Sequence, residues 1–226
     1  MVQADSKDRD SGQPEGFVCR VVSAGDAPSE RLLLQEAAIA PKGGKAEVST
    51  RFKLGRIAAR RCLQEFGAQP SPILAGPKGE PLFPQGFVGS ISHTKEIGAA
   101  VVGRAAEYMG LGLDIEELGR KVDRRVIDRI GTAQEKRWVK EEPERRGLMV
   151  FCAKESIFKA LYPLHKQYMK FLDVATHWNE DDGVFVSTLL TDFGAPWDAG
   201  ATVMTLCGES NGLLVAVTVI ESQFDD

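Results

Sequence analysis

In the first half of the chain, apolar residues recur with the spacings of strands and helices in turn. Alternation of apolar and polar residues predicts a strand, and apolar spacings of three and four predict a helix. The predicted elements are a strand (17–24), a helix (28–40), a long helix ending at Gly67 (45–67), and two strands joined by a tight turn (87–94 and 97–103). The Pro- and Gly-rich stretch at 68–86 is expected to be a loop that includes one short strand.

The second half opens with "GLGLDIE" (110–116), in which every second residue is Leu or Ile, as in a strand. The patterns that follow predict a helical region (about 122–142), a helix closed by Pro163 (147–163), a strand (183–193) and a hairpin (201–220). The hairpin is expected to turn at Ser210-Asn211-Gly212, because Asn-Gly suits tight hairpin turns.

Two stretches repeat one pattern of strand, polar turn, Gly and apolar strand: "ISHTKEIGAAVV" and "LCGESNGLLVAV". This favours a weak internal duplication. We therefore predict an α+β fold of two similar lobes, each an antiparallel sheet packed with helices. The lobes are expected at 16–106 and 107–226, with the active site in the cleft between them. Residues 1–15 are expected to form a disordered, polar leader.

Composition narrows the class of protein. The 226 residues carry a formal net charge of -4, which argues against a general nucleic-acid binder, so any anion site must be a local cluster of Lys and Arg. The four cysteines are too far apart for a zinc motif and are expected to be reduced. No long apolar run predicts a transmembrane helix. A cytoplasmic protein without a membrane anchor is the expectation.

The strand at 110–116 carries two carboxylates, Asp114 and Glu116, on the same face as Gly112. Side chains two residues apart share a face of a strand, so Leu111, Leu113 and Ile115 are expected to point to the core. Two carboxylates at this spacing can share a hard cation such as Mg²⁺. The alternative is a solvated strand end.

A second candidate stretch is "FCAKESIFKALYP" (151–163), where Glu155 and Lys159 are four residues apart on one helix face. One interpretation is an ordinary helical ion pair. The other is a phosphate site beside a metal, in which Lys154 and Lys159 face phosphate oxygens and Glu155 supplies a third carboxylate.

Together, "GLGLDIEELGR" and "FCAKESIFKALYP" resemble the paired signature of the 4'-phosphopantetheinyl transferases, which is Gly-x-Asp-x-Glu and then a Lys-Glu-Ser-x-x-Lys helix. "GPKGEPLFPQGFVGSISHT" and "GRIAARRCL" resemble two further family segments. The chain length and the apparent duplication resemble the monomeric, two-lobed surfactin- and enterobactin-synthetase type, not the shorter, trimeric holo-acyl-carrier-protein synthase type.

The resemblance implies transfer of the phosphopantetheine arm of coenzyme A (CoA) to a serine of an apo acyl or peptidyl carrier protein, with release of adenosine 3',5'-bisphosphate. Such carriers serve fatty-acid, polyketide, nonribosomal-peptide and siderophore synthesis. It assigns Asp114, Glu116 and Glu155 to Mg²⁺, with Mn²⁺ as the alternative metal. Glu155, or a water that it orients, would deprotonate the carrier serine. Lys154 and Lys159 would contact phosphates and hold the leaving group.

The resemblance also implies a set of CoA contacts in the first lobe. His93 would bind the 3'-phosphate, with Ser92 beside it, and Arg56, Arg51 and Lys78 would extend the cluster. The alternative for the two arginines is a solvated helix face, which is the preferred interpretation for Arg60 and Arg61. "GPKG" lacks the spacing of a nucleotide-binding P-loop.

The charged stretch 121–147 lies where the family meets its carrier protein. Four cations there could face the acidic surface of a carrier, or could simply belong to a solvated helix: Lys121, Arg124, Arg125 and Arg129. Two other function classes are open: a catalytically silent homologue that binds CoA or a carrier as a scaffold, and a Mg²⁺-dependent phosphohydrolase. Retention of Asp114, Glu116, Glu155 and Lys159 together argues against the scaffold.

Overall fold

A computed structural model of the protein describes residues 14–27, 29–41 and 46–222. The expected leader lies outside these residues, apart from residues 14 and 15. The chain divides into two compact units, with the division between Glu107 and Tyr108.

The first unit is a three-stranded antiparallel sheet with a long helix packed on it. Its elements are β1 (Val18–Ser23), α1 (Leu34–Ile39), α2 (Ala46–Glu65), β2 (Leu74–Ala75), β3 (Pro81–Leu82), β4 (Phe87–His93) and β5 (Ile97–Arg104). The sheet order is β1-β5-β4, and β2 pairs with β3 as a separate two-residue ladder. Apolar residues of α2 such as Leu54, Ile57 and Ala58 are buried in the core of this unit.

The second unit is a five-stranded antiparallel sheet with the order β6-β10-β9-β8-β7. Its elements are β6 (Tyr108–Glu117), α3 (Arg124–Ile130), α4 (Ala133–Val139), α5 (Pro143–His165), a 3-10 turn (Phe171–Asp173), β7 (Val174–Asn179), β8 (Val184–Leu189), β9 (Thr202–Ser210) and β10 (Leu213–Glu221). The β9–β10 hairpin turns at Asn211 and Gly212, whose φ angles of 50° and 77° suit the predicted tight turn.

Both units repeat one arrangement. In each, the first strand pairs with the second strand of a later hairpin, which gives the orders β1-β5-β4 and β6-β10-β9. A long helix, α2 or α5, packs on each sheet. The predicted α+β class with two similar antiparallel units is confirmed. Among the described residues, no helix is long and apolar enough to cross a membrane.

Several predicted elements differ in extent. The prediction that Pro163 closes the signature helix is wrong, because α5 continues to His165 and Pro163 lies inside its last turns. A proline removes only one backbone hydrogen bond there, and buried packing of the helix compensates for it. α5 also begins earlier than predicted, with Pro143 at its first position, where a proline is favourable.

The other differences concern shorter elements. The first predicted helix (28–40) shrinks to α1, which spans Leu34–Ile39. The helical region at 122–142 is two helices, α3 and α4, separated at Gly131 and Thr132. Thr132 caps α4 through its side chain, so the chain starts a new helix at that point. Strand β7 was not predicted, since "VATHWN" has no clear alternation.

Candidate active site in the second unit

Strand β6 and helix α5 approach each other closely because β6 carries glycines on the face toward the helix. A Cβ on Gly112 would lie 1.8 Å from the backbone O of Ser156, and one on Gly110 would lie 2.5 Å from the backbone O of Ala160. Real side-chain carbons cannot occupy such positions, so only glycine permits this packing. The glycine spacing of the strand therefore fixes the distance between the two signature segments.

The carboxylates of β6 share the face of Gly112, as the alternation predicts, but that face is covered. The sequence pattern predicted that only the Leu and Ile face of β6 packs in a core. That prediction is wrong, because residues 110–115 are all buried and both faces of the strand are therefore covered. Asp114 is 6% exposed. Helix α5 packs on the strand and closes over its glycines. The acids therefore sit at a strand–helix interface and not at a free strand end.

Lys159 of α5 is the cation paired with Asp114. Its Nζ donates to Asp114 Oδ1 at 2.7 Å and to the backbone O of Leu113 at 3.0 Å. Cys152, about two helical turns before Lys159 on α5, lies close enough to Asp114 for the carboxylate charge to act on its thiol. Burial, with the charge of Asp114, holds the pKa of the Cys152 thiol well above its usual value. Lys159 therefore forms its ion pair with Asp114 of the strand. The alternative prediction was an ion pair with Glu155 on the same helix.

Glu116 is paired with Arg120, which follows it by four residues. The guanidinium of Arg120 also lies over the ring of Phe151, 5.0 Å from its centroid. Sequence reasoning missed Arg120, although a cation four residues after the acid in "GLGLDIEELGR" was a visible signal. Asp114 and Glu116 thus each have a cation beside them within the second unit.

Glu155 is the third carboxylate of the cluster. Burial raises its pKa, and the charges of Asp114 and Glu116 raise it further, while Lys159 and Arg120 lower it. The pKa of Glu116 is also raised, first by burial and then by Asp114, with Arg120 and Lys159 acting against the shift. The carboxylates therefore repel one another across a partly buried site.

This donor set matches the chemistry of a hard divalent cation, since clustered carboxylates are the ligands that Mg²⁺ takes from proteins. Burial and mutual repulsion both disfavour the charged carboxylates, as their raised pKa values indicate, and a bound cation would offset both effects. As the side chains stand, however, no three acidic, His or Cys residues within the described ranges converge closely enough to hold a metal ion. Binding would require Lys159 or Arg120 to release carboxylate oxygen.

The structure contradicts a phosphate contact for Lys154. Its side chain is wholly buried, and Nζ donates to Glu135 Oε2 and the backbone O of Ile130, both at 2.8 Å. The same Nζ lies 2.9 Å from the backbone O atoms of Phe171 and Val174. An ammonium has three hydrogens, and four internal oxygens already surround this one. Nothing is left to offer to a phosphate.

An open pocket of about 160 Å³ adjoins Glu155. Its other lining residues are mostly apolar or aromatic: Lys154, Phe158, Tyr168, Met169, Lys170 and Phe171. Tyr168 is 73% exposed and packs edge-on against Phe158, with 5.8 Å between ring centroids. No sequence pattern indicated this pocket, because part of its wall is formed by the irregular segment that follows α5.

The first unit carries the residues expected to contact CoA. His93 is the exposed last residue of β4, opposite Gly98 of β5, and Ser92 before it is buried. Lys78 is exposed at the tip between β2 and β3, where its backbone N–H donates to Glu80 Oε2 at 3.0 Å. Arg51 lies half-buried in the part of α2 that precedes Arg56.

Arg56 is not on a solvated helix face. It is 6% exposed, its Nε donates to the backbone O of Ile73 at 3.3 Å, and its guanidinium lies 4.1 Å from the ring centroid of Phe52. Burial lowers its pKa, and the negative charge of Glu36 opposes that shift. The guanidinium is thus held in one orientation by the surrounding fold.

The preferred solvated interpretation is wrong for Arg60. This residue is 7% exposed and pairs with the wholly buried Glu36 of α1. Glu36 also accepts the backbone N–H of Ile73 at 3.0 Å. Arg61 is half-buried and pairs with Glu30. Both arginines therefore hold the segment before α1 and α1 itself against α2, which explains their presence without a ligand.

The cations expected to meet a carrier protein lie on and just before α3. Arg124 and Arg129 are exposed and make no ion pair among the described residues. Lys121 pairs with Glu144 at 3.1 Å and Arg125 with Asp123 at 2.8 Å, all largely exposed. Exposed pairs of this kind contribute little to stability, so these side chains can exchange partners.

Comparison with known proteins adds to this geometry. The sequence model of the 4'-phosphopantetheinyl transferase superfamily matches residues 110–217, and that of the 4'-phosphopantetheinyl transferase N-terminal domain matches residues 35–103. The chain belongs to the 4'-phosphopantetheinyl transferase superfamily. The two matches fall on the two structural units and include both signature segments.

Relatives in this superfamily extend over most of the chain. The chain is 32% identical to the 4'-phosphopantetheinyl transferase PptT of Mycobacterium tuberculosis over 205 residues, which is 86% of this chain and 88% of that protein. It is 34% identical to the 4'-phosphopantetheinyl transferase Svp of Streptomyces mobaraensis, over 74% of this chain and 69% of that protein. The Enterobactin synthase component D of Escherichia coli is 36% identical over 49% of this chain and 53% of its own length.

A solved structure, the holo-[acyl-carrier-protein] synthase of Thermotoga maritima, is 28% identical and aligns with a TM-score of 0.40. That alignment covers 51% of this chain and 65% of the other. The predicted family and enzyme class are confirmed by the sequence matches: this is a transferase that uses CoA and acts on carrier proteins.

Proposed function

We propose that this protein transfers the 4'-phosphopantetheine arm of CoA to a serine hydroxyl of an apo acyl or peptidyl carrier protein in a Mg²⁺-dependent reaction. The serine oxygen forms a bond to the phosphorus that bears the pantetheine. The pyrophosphate P–O bond breaks, adenosine 3',5'-bisphosphate leaves, and the serine proton passes to a base.

One observation carries the proposal. Gly112 allows α5 to pack so close to β6 that Asp114 and Glu116 act electrostatically on Glu155, with Lys159 bound to Asp114. A pyrophosphate transfer needs positive charge beside the phosphoryl oxygens and the leaving group, where negative charge develops, and a divalent cation held by these carboxylates would supply it together with Lys159. The same residues lie within the stretch matched by the superfamily model.

Asp114, Glu116 and Glu155 are the residues that would hold Mg²⁺. When bound, the ion would neutralise charge on the pyrophosphate. In the apo protein, Lys159 holds Asp114. Once Asp114 binds the metal ion, Lys159 would contact phosphate oxygens. The raised pKa of Glu155 moves it toward the range that suits a general base near neutral pH.

The first unit would supply the contacts that recognise the nucleotide end of CoA. His93 is exposed at a strand end and Arg56 is held in a fixed orientation, which suits charge-assisted hydrogen bonds to the 3'-phosphate. We further propose that the protein acts as a monomer, with the exposed cations of α3 facing an acidic carrier. Mn²⁺ is the alternative metal.

Intact-protein mass spectrometry of carrier proteins tests the activity. An acyl carrier and a peptidyl carrier are incubated with the protein, CoA and Mg²⁺, with and without a chelator. We expect a mass increase of one phosphopantetheine on at least one carrier, lost with chelator. The matched control is a carrier whose target serine is replaced by alanine. CoA binding without any mass increase would favour the scaffold function instead.

The phosphohydrolase alternative is tested in the same reaction. Without a carrier, the proposed transferase should release no adenosine 3',5'-bisphosphate from CoA. Steady carrier-free release would contradict the proposal, because it would mean that water is the natural acceptor.

A further inference from the structure

A buried ion pair between Lys154 and Glu135 lies next to the proposed active site in sequence and is not used by the proposed chemistry. Both side chains are almost completely buried, and they are 2.8 Å apart. Burying two charges is costly unless each is paired and fully hydrogen-bonded. Hydrophobic residues of similar volume often stabilise a core as well as such a pair does, so its contribution is sought in how it orients the elements around it.

Each partner joins several elements. The ammonium of Lys154, on α5, donates to the backbone of Ile130 at the end of α3 and to Glu135 on α4. It also donates to the backbone of Phe171 in the 3-10 turn and of Val174 at the start of β7. Four elements of the second unit are thus tied to one ammonium group on the helix that carries Glu155.

Glu135 extends the network on its other side. Its Oε1 accepts the backbone N–H of Thr176 at 2.6 Å and the hydroxyl of the same residue at 2.9 Å. Its Oε2 accepts the backbone N–H of Thr132 at 2.6 Å in addition to Lys154. Strand β7 and the start of α4 are therefore attached to the same pair of charges.

Two structures are attached to this pair. One is the pocket wall of Met169, Lys170 and Phe171, which lies beside Glu155. The other is the α3–α4 segment, which packs on α5 and on the 3-10 turn and carries the exposed Arg124 and Arg129. A shift of Lys154 would move both relative to the carboxylate.

We infer that Lys154 and Glu135 form a positioning pair that fixes the pocket wall and the α3–α4 segment relative to Glu155, and that Lys154 is not a phosphate ligand. This inference rests on the proposed function, since the position of Glu155 matters only if Glu155 takes part in transfer. The pair acts through other residues and touches neither CoA nor the carrier.

The two roles for Lys154 predict different behaviour of its partner. A phosphate ligand would not need Glu135, and a carboxylate beside it would weaken phosphate binding. A positioning pair requires both members equally, so loss of either should have the same effect. The discriminating variants are therefore Lys154→Met, Glu135→Gln and the double variant, with Lys140→Met as the control that removes an exposed cation from the end of α4.

The measurements are CoA affinity by calorimetry, and kcat and KM for a carrier that the wild-type protein modifies. Assays are run well below the unfolding midpoint of each variant, so that a lower folded fraction does not imitate a kinetic defect. We expect both single variants to raise the carrier KM or lower kcat by about tenfold or more, with CoA affinity unchanged within about twofold. The double variant should be no worse than the poorer single one, because the two residues act as a unit.

Three results would overturn the inference. One is a fall in CoA affinity in Lys154→Met that is absent from Glu135→Gln. The second is multiplication of the two defects in the double variant. The third is wild-type kinetics in folded single variants. Where the Met variant does not fold, Glu135→Gln and Lys154→Arg, which keeps a buried cation, supply the same comparison. Absence of transfer by the wild-type protein would refute the proposed function itself, and this result is distinct from the three that bear on the Lys154–Glu135 pair.

Discussion

The α-carbon of Gly112 faces the carbonyl of Ser156 so closely that a Cβ would lie 1.8 Å from that oxygen. Ser156 follows Glu155 directly, so the position of the helix against this glycine sets the position of the carboxylate. The spacing of glycines in β6 is thus part of the site and not merely a feature of the strand.

Gly112→Ala is expected to push α5 away from β6. Overpacking of a tight interface costs about 1–3 kcal/mol of unfolding free energy, and misplacement of Glu155 by about 1 Å could lower transfer by about 10²-fold. Denaturant unfolding and the carrier assay measure the two effects. Gly208→Ala in β9 is the control, because a Cβ there would meet no atom of the described residues within 4 Å. Unchanged transfer in Gly112→Ala would show that the close approach is not needed.

Asp114→Ala and Glu155→Ala are expected to abolish transfer while the fold persists. Loss of a general base alone lowers rates by about 10²–10⁴-fold, and each variant also removes a proposed metal ligand. Glu155→Ala should keep the circular dichroism and the unfolding midpoint of the wild type, because the change removes a buried carboxylate that Asp114 and Glu116 repel. Asp114→Ala leaves Lys159 without its carboxylate and should lower the midpoint, so its transfer is assayed well below that midpoint. Glu117→Gln removes a neighbouring exposed acid of β6 and should transfer normally. Normal turnover in either alanine variant would refute the site assignment.

The signature residues could be identified from the sequence because each segment is local: Asp114 and Glu116 alternate on a strand, and Glu155 and Lys159 share a helix face. Their partners could not be assigned so easily. Lys154 meets Glu135 across 19 residues, and its burial is decided by how α3, α4 and the 3-10 turn pack, which no local spacing encodes. Arg60 likewise looks like a surface cation in "GRIAARRCL", and only the position of α1 shows its buried partner Glu36.

The elements follow the same division. The long helices and hairpins were predictable because their apolar periodicity extends over many residues. The extent of α5 was not, because Pro163 is a local signal for a helix end that tertiary packing overrides. β7 is short and lacks alternation, and it is held in place through Glu135 and by pairing with β8.

The unfolding free energy should depend on pH and Mg²⁺ in a linked way. Burial raises the pKa of both Glu116 and Glu155 in the folded state above the ordinary value of about 4.3. The folded protein therefore binds these protons more tightly than the unfolded chain. Without metal, stability should fall as pH rises from the ordinary carboxylate range through the raised values.

Mg²⁺ binds the deprotonated carboxylates and should offset this loss, so the stabilisation by Mg²⁺ should grow with pH over the same range. Denaturant midpoints measured with and without Mg²⁺ between about pH 4.5 and 7.5 provide the check. In a Glu116→Gln/Glu155→Gln variant both the pH slope and the response to Mg²⁺ should shrink. The raised pKa values would be contradicted if the unfolding free energy of the metal-free wild type rose with pH while that of this variant fell.

Glu36→Gln should destabilise the first unit. The substitution leaves Arg60 without its buried carboxylate, and breaking one partner of a buried pair typically costs about 3–5 kcal/mol. Glu36 also holds the backbone of Ile73, whose carbonyl accepts from Arg56, so the arginine should lose its fixed orientation. Thermal unfolding gives the first effect, and CoA affinity in the folded variant gives the second. Glu30→Gln, which affects the half-buried Arg61 pair, should cost much less.

His93→Ala is expected to weaken CoA binding more than it lowers kcat. A hydrogen bond to a charged group contributes about 1.5–3 kcal/mol, which corresponds to a loss of about tenfold or more in affinity. The decisive comparison uses CoA that lacks the 3'-phosphate. If His93 meets that phosphate, His93→Ala should weaken binding of the truncated ligand much less than it weakens binding of CoA, and the remaining cations such as Arg56 should still let the variant prefer CoA. An equal loss of affinity for both ligands would show that His93 does not contact the 3'-phosphate, because its contribution would then be independent of that group.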